Sequence, residues 1–229
     1  MINAVLFDLD GTLLDTAPAF HHLLNQQLAA AQLPAISLSE IRTVVSEGAA
    51  AMVGLAFNLA PEAPEFQQHL DALLHAYREN PAAHTQLFPG METVLSTLEE
   101  RGIPWGIVTN KPERFTLPIL EHLGLKHRAQ TVICPDHVKE RKPHPEGLLK
   151  AAAQLNTPPE QCCYVGDHWR DIEAGRRANM ATIAVTYGYL RHDEDPLTWQ
   201  ADAYAAQAEE LLQRLGLLTT APTLDDESE

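Results

Sequence analysis

Residues 5–12 of the chain read Val5-Leu6-Phe7-Asp8-Leu9-Asp10-Gly11-Thr12. An apolar run without alternation, ended by two carboxylates, a glycine and a threonine, predicts a buried parallel strand with acidic residues at its end. In open α/β sheets the carboxyl end of such a strand is where ligands bind. We therefore expect Asp8 and Asp10 to lie at a binding site.

Two carboxylates so close together raise each other's pKa unless a cation or a proton offsets their charge. A divalent metal ion is the simplest such partner, and hard oxygen ligands suit Mg²⁺. One metal-bound carboxylate could then act as a nucleophile while the other acts as general acid and base. The alternative interpretation is an acidic turn after a strand, with no metal and no chemistry.

Composition limits the possible partners and the compartment. The formal net charge of −15 argues against nucleic acid or an anionic membrane as a partner. Three cysteines, an odd number without zinc-ligand spacing, are typical of a reducing compartment. No signal peptide is evident before the first strand, and no apolar run has the length of a membrane span. The sequence therefore predicts a cytoplasmic protein.

After Thr12 the apolar residues recur at helical spacing, and up to residue 83 only helices are predicted. Beyond residue 84, strands and helices alternate as in a doubly wound parallel sheet. We predict an α/β core of residues 1–15 and 84–220, an inserted helical cap of residues 16–83, and a disordered acidic tail of residues 221–229. A helical subdomain that does not move is the alternative to a cap. The strands predicted after the cap are 105–109, 131–134, 162–166 and 182–186.

Further polar residues fall at strand ends and helix starts. Thr109 and Asn110 end a predicted strand before Pro112, where a hydroxyl and an amide suit phosphate oxygens. Lys142 precedes a proline-initiated helix, where an ammonium could hold a carboxylate and phosphoryl oxygens together. Lys139 is its substitute if the register differs. The alternatives are a simple helix cap at Thr109 or Asn110 and a solvated surface lysine at Lys142.

A second acidic pair, Asp167 and Asp171, follows the strand that ends at Gly166. At the strand end Asp167 would face Asp8 and Asp10 and could complete a Mg²⁺ site. Asp171 could be a further ligand; the alternative is an aspartate that is favoured in the first turn of a helix by the helix dipole alone.

These clusters together resemble the haloacid dehalogenase superfamily. Asp8-Leu9-Asp10-Gly11-Thr12 resembles its motif I, and the clusters at Thr109, Lys142 and Asp167 resemble motifs II, III and IV. The resemblance implies a Rossmann-like doubly wound parallel sheet with an inserted all-helical type 1 cap. It also implies a Mg²⁺-dependent phosphatase in which Asp8 becomes an aspartyl phosphate, while Asp10 protonates the leaving alcohol and then activates water.

The same resemblance assigns roles to the remaining residues. Thr109, Asn110 and Lys142 would bind the phosphoryl group, and Lys142 would also hold the nucleophile. Asp8, Asp10 and Asp167 would hold the metal. Asp171 would reach the metal through water or orient Lys142.

The acid at position 10 narrows the activity within the superfamily. Dehalogenases lack it and ion-pumping ATPases carry threonine there, so Asp10 indicates a phosphatase or a sugar phosphomutase. From a different class, a catalytically silent binding protein or a phosphoacceptor module is the remote alternative. Residues 48–53, 105–112 and 133–139 are similar to the N-acetylmuramic acid 6-phosphate phosphatases of cell-wall sugar recycling. The expected substrate is that small phosphate ester, with 2-phosphoglycolate as the alternative.

Specificity is expected in the cap, because the core motifs hold only the phosphoryl group. The candidate residues are Arg42 and the turn Ser46-Glu47-Gly48. Ser46 departs from the two-glycine form that phosphoglycolate phosphatases usually carry there. Both candidate substrates bear a carboxylate, with which Arg42 could pair.

Overall fold

The computed structural model describes residues 2–217, so the predicted acidic tail of residues 221–229 lies outside the described residues. The strands, in chain order, are β1 (Ala4–Phe7), β2 (Leu14–Asp15), β3 (Gln86–Leu87), β4 (Trp105–Val108), β5 (Thr131–Ile133), β6 (Cys162–Gly166), β7 (Ala181–Val185) and β8 (Ala203–Ala205). The helices are α1 (Ala17–Ala30), α2 (Leu38–Arg42), α3 (Ala49–Phe57), α4 (Phe66–Glu79), α5 (Met91–Glu100), α6 (Glu113–His122), α7 (Glu146–Gln154), α8 (Trp169–Arg177) and α9 (Glu210–Arg214).

The main sheet has six parallel strands in the order β5-β4-β1-β6-β7-β8. Successive side chains of β1 point to opposite faces, which is why both faces can be covered by helices. Val5 and Phe7 belong to the cluster that includes α5, α6 and α9, and Ala4 and Leu6 belong to the cluster of α7 and α8. Burying a side chain such as that of Phe7 stabilises the fold by about 1.5–3 kcal/mol.

The chain order of the strands creates the crevice for a site. From β1 the chain passes to β4 and β5 on one side, then returns to β6 on the other side of β1. In such sheets ligands bind beyond the carboxyl ends of the strands, at the point where the strand order reverses. The carboxyl ends of β4, β1 and β6 lie side by side there.

The predicted α/β, Rossmann-like doubly wound parallel sheet is confirmed. The strands β2, β3 and β8 were not predicted, and they have two or three residues each. Segments that short carry no detectable alternation of apolar and polar residues. None of the helices within residues 2–217 has the length and apolar character needed to cross a membrane.

Helices α1 to α4 all lie between β2 and β3, which pair antiparallel through Leu14 with Leu87 and Asp15 with Gln86. The chain thus enters and leaves the helical segment through neighbouring strands. Phe20 of α1 stacks on Tyr77 of α4 with ring centres 4.4 Å apart. A moving cap with boundaries at residues 16 and 83 remains a prediction.

Candidate active site

Three neighbouring strands bring polar residues to one edge of the sheet. Asp8 follows β1, Thr109 follows β4 and Asp167 follows β6. Lys142 reaches the same edge from the loop before α7, and its side chain is 3% exposed. The sequence places these residues far apart, and only the strand order β4-β1-β6 brings them together.

A cluster of three carboxylates lies at this edge. One oxygen each of Asp8, Asp167 and Asp171 lies within 4.8 Å of the others. Burial, together with the charge of Asp171, raises the pKa of Asp8 to about 7, although Lys142 opposes the shift. Burial, Asp8 and Asp171 raise the pKa of Asp167 well above its usual range. Three carboxylates with so little solvent favour the binding of a cation.

Lys142 supplies part of the compensating charge. Its ammonium nitrogen lies 2.8 Å from Asp8 Oδ1 and 2.7 Å from Asp171 Oδ1. It also donates to the Tyr164 hydroxyl at 2.8 Å and the Val108 carbonyl at 3.0 Å. Although burial opposes its charge, the two carboxylates hold the pKa of Lys142 above its ordinary value. Lys142 therefore stays protonated and fixed beside Asp8.

Asp10 lies on the other side of the turn, and its carboxylate is outside the three-carboxylate cluster. It accepts from Lys111 Nζ at 2.9 Å and from Thr16 Oγ1 at 2.6 Å. The structure thus brings together Asp8, Asp167 and Asp171, rather than the side chains of Asp8, Asp10 and Asp167 that the sequence grouped. Because of the turn after Asp8, the Asp10 carboxylate lines the cavity instead, where it can meet a leaving group.

The predicted phosphate-binding residues line the same cavity as Asp8. The Thr109 hydroxyl oxygen accepts from the Lys111 backbone N–H at 3.1 Å, which leaves its proton available for an anion. Asn110 Nδ2 donates to the Lys142 carbonyl at 3.1 Å. Asn110 thereby ties the loop that carries Lys142 to the end of β4.

The turn from the helical segment reaches the core beside this site. Glu47 Oε1 lies 3.1 Å from His168 Nε2, and Arg170 Nη2 donates to the Ser46 carbonyl at 2.6 Å. Ser46 and Gly48 line the cavity as predicted for specificity residues, while Glu47 contacts the core rather than the cavity. These contacts close the cavity on one side.

Arg42, the remaining predicted specificity residue, does not line the cavity. Its guanidinium pairs with the carboxylate of Asp15 and lies 5.6 Å from the centre of the Tyr189 ring. The carboxylate of Asp15 is largely buried, and the guanidinium of Arg42 compensates its charge. In this structure Arg42 pairs with Asp15, and its pairing with a substrate carboxylate remains a prediction.

The cavity has a volume of about 270 Å³ and lies between the helical segment and the sheet. Its cations other than Lys142 are Lys111, Arg114 and Arg170, none of which was assigned a role from the sequence. In the sequence, Lys111 directly follows the predicted phosphate-binding residues, and this position is the signal that could have identified it as a site residue. The apolar wall of the cavity is formed by Phe20, Val45, Met52, Leu74, Tyr77, Pro112 and Phe115.

Gly11→Ala is expected to lower stability and activity more than Gly124→Ala. Both glycines have a positive φ, of +84° and +70°, where alanine costs about 1–2 kcal/mol. A Cβ on Gly11 would collide with the Asp167 carboxylate, whereas no described atom lies within 4 Å of one on Gly124. Overpacking adds about 1–3 kcal/mol. Urea unfolding and kcat should both show the larger loss in Gly11→Ala, and equal losses would contradict the close packing of Asp167 on this turn.

Comparison with known proteins places this geometry in a family. Residues 5–185 match the family model described as haloacid dehalogenase-like hydrolase. The N-acetylmuramic acid 6-phosphate phosphatase of Pseudomonas putida is 48% identical over 201 residues, which are 88% of this chain and 90% of that protein. The phosphoglycolate phosphatase of Xanthomonas campestris pv. campestris is 46% identical over 215 residues, covering 91% of this chain and 94% of that protein.

A solved structure has the same fold along nearly the whole chain. The crystal structure of a predicted phosphoglycolate phosphatase from Haemophilus somnus superposes with a TM-score of 0.80 at 27% sequence identity. The match covers 93% of this chain and 97% of that one.

Proposed function

The chain belongs to the haloacid dehalogenase-like hydrolases, and we propose that it is a Mg²⁺-dependent phosphomonoesterase acting through an aspartyl-phosphate intermediate. The observation that carries the proposal is the convergence of Asp8, Asp10, Thr109 and Lys142 on one cavity. The cavity therefore holds a carboxylate nucleophile, an acid, a hydroxyl donor and a cation together.

The chemistry follows from the positions of these groups. A carboxylate oxygen of Asp8 attacks phosphorus, the bond from phosphorus to the ester oxygen breaks, and Asp10 gives its proton to the departing alkoxide. Asp10 then takes a proton from water as the water oxygen attacks the phosphorus of the acyl phosphate. Inorganic phosphate leaves and the Asp8 carboxylate is restored. Lys142 and Thr109 hold the non-bridging oxygens throughout, so that little reorganisation is needed.

The residues present fit a divalent cation. The three clustered carboxylates face a single buried ammonium, which leaves an excess of negative charge in a site with little solvent. Asp8 and Asp167, which follow the adjacent strands β1 and β6, are the side chains that would hold the ion, and Asp171 would orient Lys142. Asp10 as a further ligand remains a prediction. When bound, Mg²⁺ would balance charge on the transferring phosphoryl group.

The cavity supports N-acetylmuramic acid 6-phosphate as the substrate. Its volume of about 270 Å³ lies just below the roughly 300–1,000 Å³ that is usual for small-molecule sites. A cavity of this volume offers more space than a glycolate unit fills. Apolar side chains form most of its wall away from the carboxylates, which suits an acetylated and etherified sugar. The alternative is 2-phosphoglycolate, favoured by the phosphatase relative of that name at 46% identity. A sugar phosphomutase would transfer phosphate within one sugar and release none.

The compartment is part of the proposal. All three cysteines are free, and all are buried. Free thiols are typical of a reducing compartment, which supports a cytoplasmic location.

A substrate panel tests this function. Phosphate release should be measured with N-acetylmuramic acid 6-phosphate, 2-phosphoglycolate, hexose phosphates and an aryl phosphate, with Mg²⁺ and after EDTA. We expect kcat/KM for the muramic ester to exceed that for 2-phosphoglycolate at least about tenfold, and EDTA to abolish turnover of every ester. A preference for 2-phosphoglycolate would contradict the proposed substrate and leave the proposed phosphatase chemistry unchanged. No metal-dependent release from any ester would support a binding protein instead.

A further inference from the structure

We propose that Arg114 forms a second anion site in the active-site cavity, which binds a carboxylate on the alcohol part of the ester. The inference rests on the proposed function, because it concerns the substrate of the same reaction. The ligand is a phosphate ester whose alcohol part carries a carboxylate several bonds away from the ester oxygen. Its phosphoryl group lies at Asp8 and its carboxylate at Arg114.

Of the four lysine and arginine side chains that line the cavity among residues 2–217, three already pair with carboxylates of the protein. Lys111 Nζ lies 2.9 Å from Asp10 Oδ1, and Arg170 Nη1 lies 3.3 Å from Glu47 Oε2. Lys142 is held by two carboxylates and belongs to the phosphoryl site. A cation that is balanced at such a distance has little net charge left for a further anion. A second charged group of the substrate therefore needs another partner.

Arg114 is the fourth of these side chains, and its guanidinium forms no ion pair with any carboxylate among residues 2–217. The Glu113 backbone N–H and, less strongly, the charge of Arg114 lower the pKa of Asp136. The Asp136 carboxylate is nevertheless used by that N–H, which donates to its Oδ2 at 2.8 Å. Arg114 therefore carries a positive charge that no described carboxylate balances by direct contact.

The guanidinium of Arg114 is held at the cavity wall. Its central carbon lies 4.9 Å from the centre of the Phe115 ring, and both residues line the cavity. A guanidinium within about 6 Å of an aromatic ring centre is attracted by the face of that ring. Arg114 also lies in the first turn of α6, where the helix dipole adds positive potential. The positive charge is thus in place before a ligand binds.

Arg114 lies at the opposite end of the aromatic wall from Asp10. The Lys111 ammonium, which contacts Asp10, lies 4.9 Å from the centre of the Tyr77 ring. That ring centre is 5.3 Å from the centre of the Phe115 ring, over which the Arg114 guanidinium lies. Because Asp10 protonates the departing alcohol in the proposed reaction, the second anion site lies beyond the ester oxygen, at the far end of the bound alcohol.

N-acetylmuramic acid 6-phosphate has the required charge pattern. Its lactyl carboxylate is attached on the opposite side of the sugar ring from the phosphate. In 2-phosphoglycolate the carboxylate is attached to the carbon that bears the ester oxygen. A guanidinium can bind a carboxylate through two parallel hydrogen bonds, which adds geometric specificity to the attraction of charge. N-acetylglucosamine 6-phosphate is the same sugar ester without the lactyl group, and it offers Arg114 no anion.

The test compares kcat/KM for N-acetylmuramic acid 6-phosphate with kcat/KM for N-acetylglucosamine 6-phosphate. We expect the ratio of the first to the second to fall about tenfold in Arg114→Gln, as a charge-assisted hydrogen-bonded pair is lost. Arg114→Lys keeps the charge but not the planar fork and should retain part of the preference. Arg101→Gln is the matched control, because Arg101 is exposed at the end of α5, outside the cavity, and the substitution removes the same charge. Its ratio should equal that of the wild type.

The salt dependence of this ratio distinguishes contact with the carboxylate from a structural role of Arg114. Because Arg114 is exposed, its attraction to a ligand is screened by salt. A higher KCl concentration should therefore lower the ratio in the wild type and change it less in Arg114→Gln. A purely structural arginine would lower both kcat/KM values equally when substituted, and the ratio would not move.

A wild-type ratio in Arg114→Gln overturns the second anion site and leaves the phosphatase standing. A ratio that falls in Arg42→Gln instead assigns the carboxylate to Arg42 and likewise overturns the site. A wild-type protein that hydrolyses an aryl phosphate but neither sugar ester overturns the site together with the proposed substrate. The absence of metal-dependent phosphate release from every ester overturns the proposed function itself.

Discussion

Asp8→Asn should lower kcat by more than about 10⁴-fold for every phosphate ester, as expected when a catalytic nucleophile is lost. The amide cannot attack phosphorus, and it removes one of the clustered carboxylates that would bind the metal. The folded state should not suffer. Burial raises the pKa of Asp8 to about 7, above its value in an unfolded chain, so ionised Asp8 lowers stability as the pH rises through 7. Asparagine has no charge to bury.

Steady-state phosphate release and urea unfolding at pH 8 should be measured on the same preparations. Asp71→Asn, an exposed carboxylate on α4 that accepts from Gln67, is the matched control and should keep wild-type values in both assays. Near-normal turnover by Asp8→Asn would refute the assignment of the nucleophile. If Asp8→Asn lost activity and also unfolded, the lost activity could not be assigned to the lost nucleophile. The two measurements are therefore made together.

Lys142→Met should abolish turnover and destabilise the fold by about 3–5 kcal/mol, the usual cost of leaving a buried charge unpaired. Methionine fills much of the same volume but leaves Asp8 and Asp171 without their shared ammonium. Lys142 opposes the upward shift in the pKa of Asp8, so that pKa rises further in the variant. A carboxylate with a raised pKa in the folded state loses stability as the pH rises through that pKa. The deficit relative to wild type should therefore grow as the pH rises above about 7, where Asp8 ionises in the wild type but not yet in the variant.

Lys139→Met tests the same change at the exposed neighbouring lysine, whose side chain is outside the cavity. Urea unfolding without metal at several pH values, with phosphate release in parallel, compares the two variants. We expect wild-type behaviour from Lys139→Met. A deficit in Lys142→Met that is independent of pH would mean that lost packing, rather than unpaired charge, causes the destabilisation.

The main sheet was predictable because its central strands carry strong local signals. Residues 4–7 and 162–166 are continuously apolar and end in a glycine or an acid, as buried parallel strands do. The strand β8 consists of Ala203-Tyr204-Ala205, and alanine is depleted in strands, so no strand was predicted there. The pairing of β2 with β3 depends on residues 71 positions apart or more, which no local pattern records.

The candidate site was predictable where a residue's position along the chain fixes its position in space. Asp8, Thr109 and Asp167 follow strands, and parallel strands end at a common edge. The partner of Arg42 was not predictable because it depends on tertiary packing: the Asp15 carboxylate lies 27 residues away in sequence yet pairs with it directly. Tyr77 has the spacing of a core residue, and only the structure reveals that it also lines the cavity, with the Lys111 ammonium 4.9 Å from the centre of its ring.

The most direct test of aspartyl-phosphate chemistry is the intact mass of Asp10→Asn, mixed with Mg²⁺ and 4-nitrophenyl phosphate and quenched in acid. This ester has a leaving group that departs without a proton, so Asp8 can still be phosphorylated, whereas hydrolysis of the acyl phosphate lacks its general base. We predict a protein heavier by one phosphoryl group, and no such species in Asp8→Asn. Release of one nitrophenolate per enzyme without any gain in protein mass would contradict nucleophilic catalysis by Asp8.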